Sequence, residues 1–90
     1  MGKDKEKTMY IGNVTKRLRK AKGMSQEKLA LDSGLDRSFY GEIERNEKTP
    51  SLDTTFRIAW GLGMEPEELV KEIKESIAPY DLFGDGNGDK

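Results

Sequence analysis

Apolar residues recur three and four positions apart along most of this chain, the spacing that places side chains on one face of an α-helix. The first such stretch contains Ile11, Val14 and Leu18 and stops at Gly23. It predicts a helix from about residue 9 to residue 22. The residues that follow repeat the same pattern, interrupted by glycines and prolines.

Three further helices each begin after a side chain that can cap a helix N-terminus. Ser25 precedes a short helix over residues 26–33 that stops at Gly34, Asp36 precedes a third helix, and Ser51 precedes a fourth. The apolar residues of the third helix are Tyr40 and Ile43. The inner face of the fourth is expected to contain Leu52, Thr55, Ala59 and Leu62.

A fifth helix is predicted between two prolines. Pro66 suits the first turn of a helix, and Pro79 ends it. Its narrow apolar stripe consists of Leu69, Val70, Ile73 and Ile77. No segment of the chain alternates over four or more residues with β-branched or aromatic enrichment, so no strand is predicted. The fold class is therefore expected to be all-α, with five helices.

Composition narrows the possible functions. A chain of 90 residues with 33% hydrophobic content can bury one modest core, and it contains no Cys and no His. Without these residues, disulfides, catalysis and zinc binding are disfavoured, and we expect no cofactor and no metal. No apolar run approaches the roughly 20 residues of a membrane span, and the N-terminus MGKDKEK lacks the apolar part of a signal peptide. We expect a cytoplasmic protein that is not an enzyme.

Charge is distributed unevenly around the formal net charge of −1. Residues 13–48 contain nine Lys and Arg against six Asp and Glu, a net charge of +3. Residues 49–90 contain four basic against nine acidic residues, a net charge of −5. The first half could therefore face nucleic-acid phosphate while the second half faces water or a partner.

The second and third helices form a candidate helix-turn-helix. Only Gly34 and Leu35 separate the second helix from the cap Asp36, so the chain must turn sharply, and Ala30 leaves room for close packing. In a major groove, the outer residues of the third helix would meet base edges. These candidate base contacts are Arg37, Ser38, Gly41 and Glu42.

Residues 25–69, SQEKLALDSGLDRSFYGEIERNEKTPSLDTTFRIAWGLGMEPEEL, resemble the Cro/CI (XRE) helix-turn-helix transcription regulators, the lambda-repressor-like domain. The similarity extends from about residue 11 to residue 69. Its segments are LRKAKGMSQ, LA with Gly34 four residues on, IER in the third helix and PSL before the fourth. LDRSFY followed by IERN is also similar to the controller proteins of restriction-modification systems, a subgroup that regulates its own operon.

The resemblance implies a role for individual residues. Gln26 is implied to bond to backbone phosphate and to brace the recognition side chains, of which Arg37 and Ser38 are the principal base readers. Arg19 and Glu44 are implied to form a structural salt bridge between the first and third helices. The other implied or candidate phosphate contacts are Arg45, Asn46, Lys48, Thr49 and, on the first helix, Lys16.

Two of these assignments have plain alternatives. Arg37 could be a solvated residue near a helix start, but a cation there opposes the helix dipole, which favours an external anion. Glu42 either repels DNA or accepts a hydrogen bond from a cytosine amino group, and the sequence does not rank these two.

Dimerisation is expected because a single helix-turn-helix covers too little DNA for useful specificity. The candidate dimer interface consists of Trp60, Leu69, Val70, Ile73 and Ile77. The alternative is that the fifth helix closes the core of its own monomer.

The predicted function is that of a sequence-specific, double-stranded DNA-binding transcriptional regulator, a homodimer on a palindromic operator and of the autoregulatory controller type. RNA polymerase is a further candidate partner. The alternative is an antitoxin or protein-interaction module that binds a partner protein.

The predicted organisation is a flexible N-terminal segment (1–8), the helix-turn-helix domain (9–64), a C-terminal helix with the dimer interface (65–79) and a disordered acidic, Gly-rich tail (80–90).

Overall fold

The computed structural model describes residues 9–77, and within that range it contains five α-helices and no strand. The helices are α1 (Ile11–Ala21), α2 (Gln26–Ser33), α3 (Arg37–Glu44), α4 (Leu52–Gly61) and α5 (Pro66–Glu75). The predicted all-α, five-helix fold is confirmed. The predictions of a flexible segment at 1–8 and a disordered tail at 80–90 lie outside the described residues, as do the last two positions of the predicted C-terminal helix.

The three predicted N-caps are present. Ser25 Oγ, Asp36 Oδ2 and Ser51 Oγ each accept a hydrogen bond from the backbone N–H three residues on, at 3.0, 3.2 and 3.0 Å. Each bond satisfies one of the backbone donors that the first turn of a helix leaves without an intrahelical partner. The starts of α2, α3 and α4 are therefore fixed by local sequence.

Four of the five helices, α1 to α4, end with the same geometry. Gly23, Gly34 and Gly63 follow α1, α2 and α4 with φ angles of 71°, 70° and 75°, the left-handed region that glycine adopts without strain. Asn46 takes the same conformation after α3, with φ 61°. In each case the chain leaves the helix through a Schellman-type turn; after α3 the N–H of Glu47 donates to the carbonyl of Glu42 at 2.8 Å.

The core receives side chains from all five helices. It consists of Val14, Leu29, Ala30, Tyr40, Ile43, Ile58, Ala59, Leu62, Leu69 and Ile73. α4 packs against α2, α3 packs against α1 and α2, and α5 closes the bundle against α4 and α1. The prediction that Leu52 belongs to the inner face of α4 is wrong, since that side chain is 70% exposed at the first position of the helix.

The apolar stripe of α5, predicted to form the dimer interface, lies mostly in the core of the monomer. Leu69 and Ile73 are 0% and 5% exposed, so they belong to the core of their own monomer and are covered before any second copy could reach them. Ile77 lies beyond the end of α5 at Glu75 and is half-buried. Of the predicted stripe, Val70 alone presents a large exposed fraction, 44%. The alternative, in which α5 closes the monomer, is correct for Leu69 and Ile73.

Candidate nucleic-acid interface

The predicted helix-turn-helix is formed by α2 and α3. At the turn, the N–H of Gly34 donates to Leu31 at 3.0 Å and the N–H of Leu35 donates to Ala30 at 2.8 Å, which returns the chain across the end of α2. Tyr40 and Ile43 point into the core. The opening residues of α3, Arg37 and Ser38, are therefore exposed, and Glu42 is half-buried one turn further on.

A buried carboxylate holds the first three helices together. Glu44, the last residue of α3, accepts hydrogen bonds from Arg19 Nε at 2.6 Å and Arg19 Nη2 at 3.1 Å, which confirms the predicted salt bridge. Gln26 Nε2 donates to the same carboxylate at 2.8 Å, and the Tyr40 hydroxyl donates to it as well. Arg19 Nη1 donates to the carbonyl of Met24 at 2.7 Å. Both members of this buried ion pair are thus hydrogen-bonded on several sides.

The network shifts three pKa values. Burial by itself raises the pKa of Glu44, but the hydrogen bonds from Arg19, Tyr40 and Gln26 outweigh it and hold that pKa below its usual value. The hydrogen bond to Glu44 raises the pKa of Arg19. Burial, and then the bond to Glu44, raises the pKa of the Tyr40 hydroxyl. At neutral pH the network therefore consists of a carboxylate, a guanidinium and a neutral phenol.

Gln26 connects this network to the surface. An ionised carboxylate only accepts hydrogen bonds, so the Gln26 amide must turn its NH₂ group to Glu44. Its oxygen then faces outward and accepts a long hydrogen bond from Arg37 Nη2, at 3.4 Å. Arg37, the first residue of α3, is in this way held by a side chain whose own orientation is set in the core.

Arg37 differs from the other arginines in residues 9–77. It is the one among them with no carboxylate within ion-pairing distance, although it lies at the N-terminus of a helix, where a cation opposes the dipole. The other four are paired as Arg17 with Glu72, Arg19 with Glu44, Arg45 with Glu47 and Arg57 with Asp53. The Arg37 guanidinium is thus available for an anion or acceptor from outside.

The predicted phosphate contacts have different surroundings. Lys16, Lys48 and Thr49 are exposed. Asn46 is also exposed, but its side chain joins α3 to α1: its Oδ1 accepts from the N–H of Gly12 at 3.2 Å and its Nδ2 donates to Asn13 Oδ1 at 2.9 Å. The helix α1 has no side-chain cap of its own, so Asn46 supplies it from 34 positions away. This role of Asn46 was not predicted from the sequence.

Gly41 is not placed as predicted. It is buried, and a Cβ at this position would lie 3.2 Å from Arg45 Nη1 and 3.9 Å from Gln26 Oε1. In the structure, the missing side chain therefore leaves space for the Arg45 guanidinium, and Gly41 is buried beneath it. Arg45 lies over the same face of α3 that carries Arg37, because residues 37, 41 and 45 are each four positions apart.

The candidate dimer surface is smaller than predicted. Trp60 is 59% exposed, and its ring packs edge-on against Phe56 with ring centres 5.8 Å apart. Phe56 was not among the predicted interface residues, although it lies one helical turn before Trp60. Phe56 is half-buried, whereas Trp60 is exposed on α4 and Val70 on α5, which packs against α4.

Other kinds of site have no counterpart in residues 9–77. No group of three or more Asp, Glu, His or Cys side chains there is arranged to hold a metal ion. None of the helices in this part of the chain has the length and apolar character needed to cross a membrane.

The fold and the exposed start of α3 define a helix-turn-helix domain. A family model described as "Helix-turn-helix" matches residues 16–69, and the chain belongs to this family, which is of the Cro/CI (XRE) type. The chain is 37% identical over 75 residues to the immunity repressor protein of Bacillus phage phi105, covering 80% of this chain and 52% of that protein. It thus spans about half the length of that relative.

Solved structures of controller proteins are also similar. The restriction-modification controller protein C.AhdI from Aeromonas hydrophila is 46% identical, with 68% of this chain and 92% of that chain covered and a TM-score of 0.63. The controller protein C.Esp1396I, solved bound to a 19 base pair DNA duplex, is 31% identical, with 78% and 93% covered and a TM-score of 0.71. The five-helix fold is shared with these proteins.

Proposed function

We propose that this protein is a sequence-specific, double-stranded DNA-binding transcriptional regulator that acts as a dimer on a palindromic operator. The observation that carries the proposal is the unpaired Arg37 guanidinium at the exposed start of α3. A helix N-terminus is an unfavourable place for a cation unless something outside the protein compensates, and the acceptor atoms of a base provide that compensation. The DNA duplex bound by the related C.Esp1396I supports this choice of partner.

Residues in the first turn of α3 contact the bases in this proposal. Arg37 can donate two parallel hydrogen bonds to the O6 and N7 atoms of a guanine, and the exposed Ser38 beside it can donate or accept. Because Gln26 holds Arg37 from one side, the guanidinium meets the groove in a restricted set of orientations. Glu42, one turn further along, either accepts from a cytosine amino group or repels the backbone, and its half-buried position fits both.

Phosphate contacts would fix the register of α3 in the groove. Gln26 retains one N–H beyond the one it gives to Glu44, and the exposed Lys16, Lys48 and Thr49 are free to approach the backbone. Asn46 retains one amide N–H for this purpose in addition to its bonds to α1. These contacts carry no sequence information, and those made by Lys16 and Lys48 make binding depend on salt concentration.

We infer that dimerisation uses the surface formed by Phe56, Trp60 and Val70. Trp60 and Val70 are large apolar side chains exposed on two helices that pack against each other, and this makes them our candidates for the interface. Two copies related by a twofold axis would place their α3 helices about 34 Å apart, one turn of DNA, which is the reason to expect a palindrome. Ile77, next to the end of α5, could extend this surface.

The regulated system is a narrower proposal. The similarity to controller proteins favours autoregulation of an operon, with RNA polymerase as a further partner at the promoter. The relatives are DNA-binding regulators rather than enzymes, and we extend this to the chain itself: it performs no catalysis. We also propose a cytoplasmic location, where the protein would have access to its operator.

The proposed function can be tested by selection from a random double-stranded DNA library with purified protein. The enriched site is then titrated at two salt concentrations. A palindrome whose binding weakens with salt is the expected result. Arg37→Ala should lose preference at one symmetric pair of positions, while Arg57→Ala, an exposed arginine on α4, should keep it. Recovery of no motif would contradict the proposal and would favour a module that binds a partner protein.

A further inference from the structure

The exposed end of α3 carries a bidentate ion pair. Arg45 Nε donates to Glu47 Oε2 at 2.9 Å, and Arg45 Nη2 donates to Glu47 Oε1 at 3.1 Å. Both side chains are more than half exposed, at 57% and 54%. The hydrogen bond to Arg45 lowers the pKa of Glu47, which keeps this carboxylate ionised at neutral pH. One edge of the guanidinium is thus occupied from within the protein.

The backbone sets the position of Glu47. Residues two apart on a helix do not face each other, and this pair forms because Asn46 turns the chain in the left-handed conformation. The N–H of Glu47 is fixed by its bond to Glu42, and the Asn46 side chain is held by Gly12 and Asn13. The carboxylate is therefore presented to Arg45 by a turn that is itself anchored to α1.

The pair lies on the face proposed to meet DNA. Arg45 Nη1 lies over Gly41, and Gln26 Oε1, which accepts from Arg37, approaches the same point. A guanidinium so close to the base-reading side chains would find a backbone phosphate within reach when α3 enters a groove. Phosphate and carboxylate bind arginine in the same way, through two parallel N–H···O bonds.

We propose that Glu47 limits the affinity of this protein for DNA, because its carboxylate and a backbone phosphate compete for the same edge of Arg45. The inference rests on the proposed function. Binding of a phosphate at the Nε and Nη2 edge requires Glu47 to release Arg45 and return to water. Because phosphates are common to all sequences, Glu47 weakens binding to the operator and to unrelated duplexes alike.

The first test compares Glu47→Gln with Glu72→Gln. Both variants remove one negative charge from an arginine ion pair, but Glu72 pairs with Arg17 between α5 and α1, at 3.0 Å. Affinities for the enriched operator and for an unrelated duplex are measured over a range of salt. Glu47→Gln should bind both duplexes roughly twofold to fivefold more tightly, the range of an exposed ion pair, and Glu72→Gln should not. Equal affinities of the two variants would overturn the inference.

The second test separates competition from simple charge repulsion. In an Arg45→Gln background, Glu47 has no guanidinium to occupy, so Glu47→Gln should no longer increase affinity. If the gain persists there, Glu47 repels phosphate directly and the competition is refuted. If the wild type binds no duplex at any salt concentration, the proposed function itself is wrong. If the wild type binds its operator but Glu47→Gln does not change the affinity, only the inference about Glu47 is wrong.

Discussion

Gln26, the first residue of α2, donates a hydrogen bond at 2.8 Å to Glu44, the last residue of α3. This one bond joins the two ends of the helix-turn-helix that lie farthest apart in sequence. It also brings the bracing residue of the proposed DNA face into the same network as Arg19 and Tyr40. The stability of the fold and the orientation of Arg37 therefore depend on the same carboxylate.

Replacement of Glu44 by Gln should destabilise the protein by about 3 to 5 kcal/mol at pH 7, since Arg19 would keep a buried charge without its counterion. The folded state lowers the pKa of Glu44, so its contribution is present above the unfolded pKa of about 4.3 and is lost as pH falls through the folded value. Urea unfolding of the wild type and of Glu44→Gln, at pH 7 and at acid pH, measures the two free energies of unfolding. The wild type should lose more stability than the variant, and equal losses would contradict the assignment.

Tyr40→Phe tests the other side of the network. The hydroxyl is buried and donates to Glu44, so its removal should cost about 1 to 3 kcal/mol at pH 7. Because folding raises the pKa of Tyr40, the unfolded chain ionises first, and the hydroxyl's contribution is lost as pH rises above about 10. In denaturant titrations from pH 7 to pH 11, the stability difference between wild type and variant should narrow. A constant difference would count against a neutral, buried Tyr40 hydroxyl.

Two glycine-to-alanine substitutions should have opposite effects. Alanine normally stabilises a helix by about 1 kcal/mol relative to glycine. At Gly12 the added methyl group would overlap the backbone carbonyl of Ile43, where α1 crosses the end of α3, so Gly12→Ala should instead destabilise by about 2 kcal/mol or more. At Gly41 the nearest atoms are the ends of two side chains, Arg45 at 3.2 Å and Gln26 at 3.9 Å, so Gly41→Ala should keep most of the normal gain.

Thermal unfolding of both variants, followed by circular dichroism, measures this contrast. Gly41→Ala serves as the control for the intrinsic preference of alanine. A melting temperature of Gly12→Ala at or above that of the wild type would show that α1 and α3 can move apart at little cost.

The sequence contained the local features of the fold. Caps at Ser25, Asp36 and Ser51 and the glycines 23 and 34 predicted the helix limits correctly, because each acts within a few residues of its own position. The role of Asn46 could not be predicted in this way. Its bond to Gly12 joins residues 34 positions apart and exists only after α1 and α3 have packed together.

The predicted site shows the same division between local and long-range features. The exposure of Arg37 and Ser38 follows from their position after a sharp turn with the core on the other side. The Arg45 ion pair was missed because helix spacing does not bring positions 45 and 47 together, and only the turn at Asn46 does so. The apolar stripe of α5 was predicted, but periodicity alone could not decide between an intermolecular and an intramolecular neighbour.

Substitutions on different helices can test where the dimer interface lies. Trp60→Glu places a charge on the exposed aromatic surface and should yield a helical monomer, whereas Ile73→Asp buries a charge in the core and should unfold the protein. Leu31→Glu, at an apolar residue of α2 that is 73% exposed, is the control and should remain dimeric. Sedimentation velocity with circular dichroism distinguishes these results. If Trp60→Glu stays dimeric while Leu31→Glu becomes monomeric, the interface lies on α2, beside the helix proposed to read DNA, and the twofold spacing inferred for the operator must change with it.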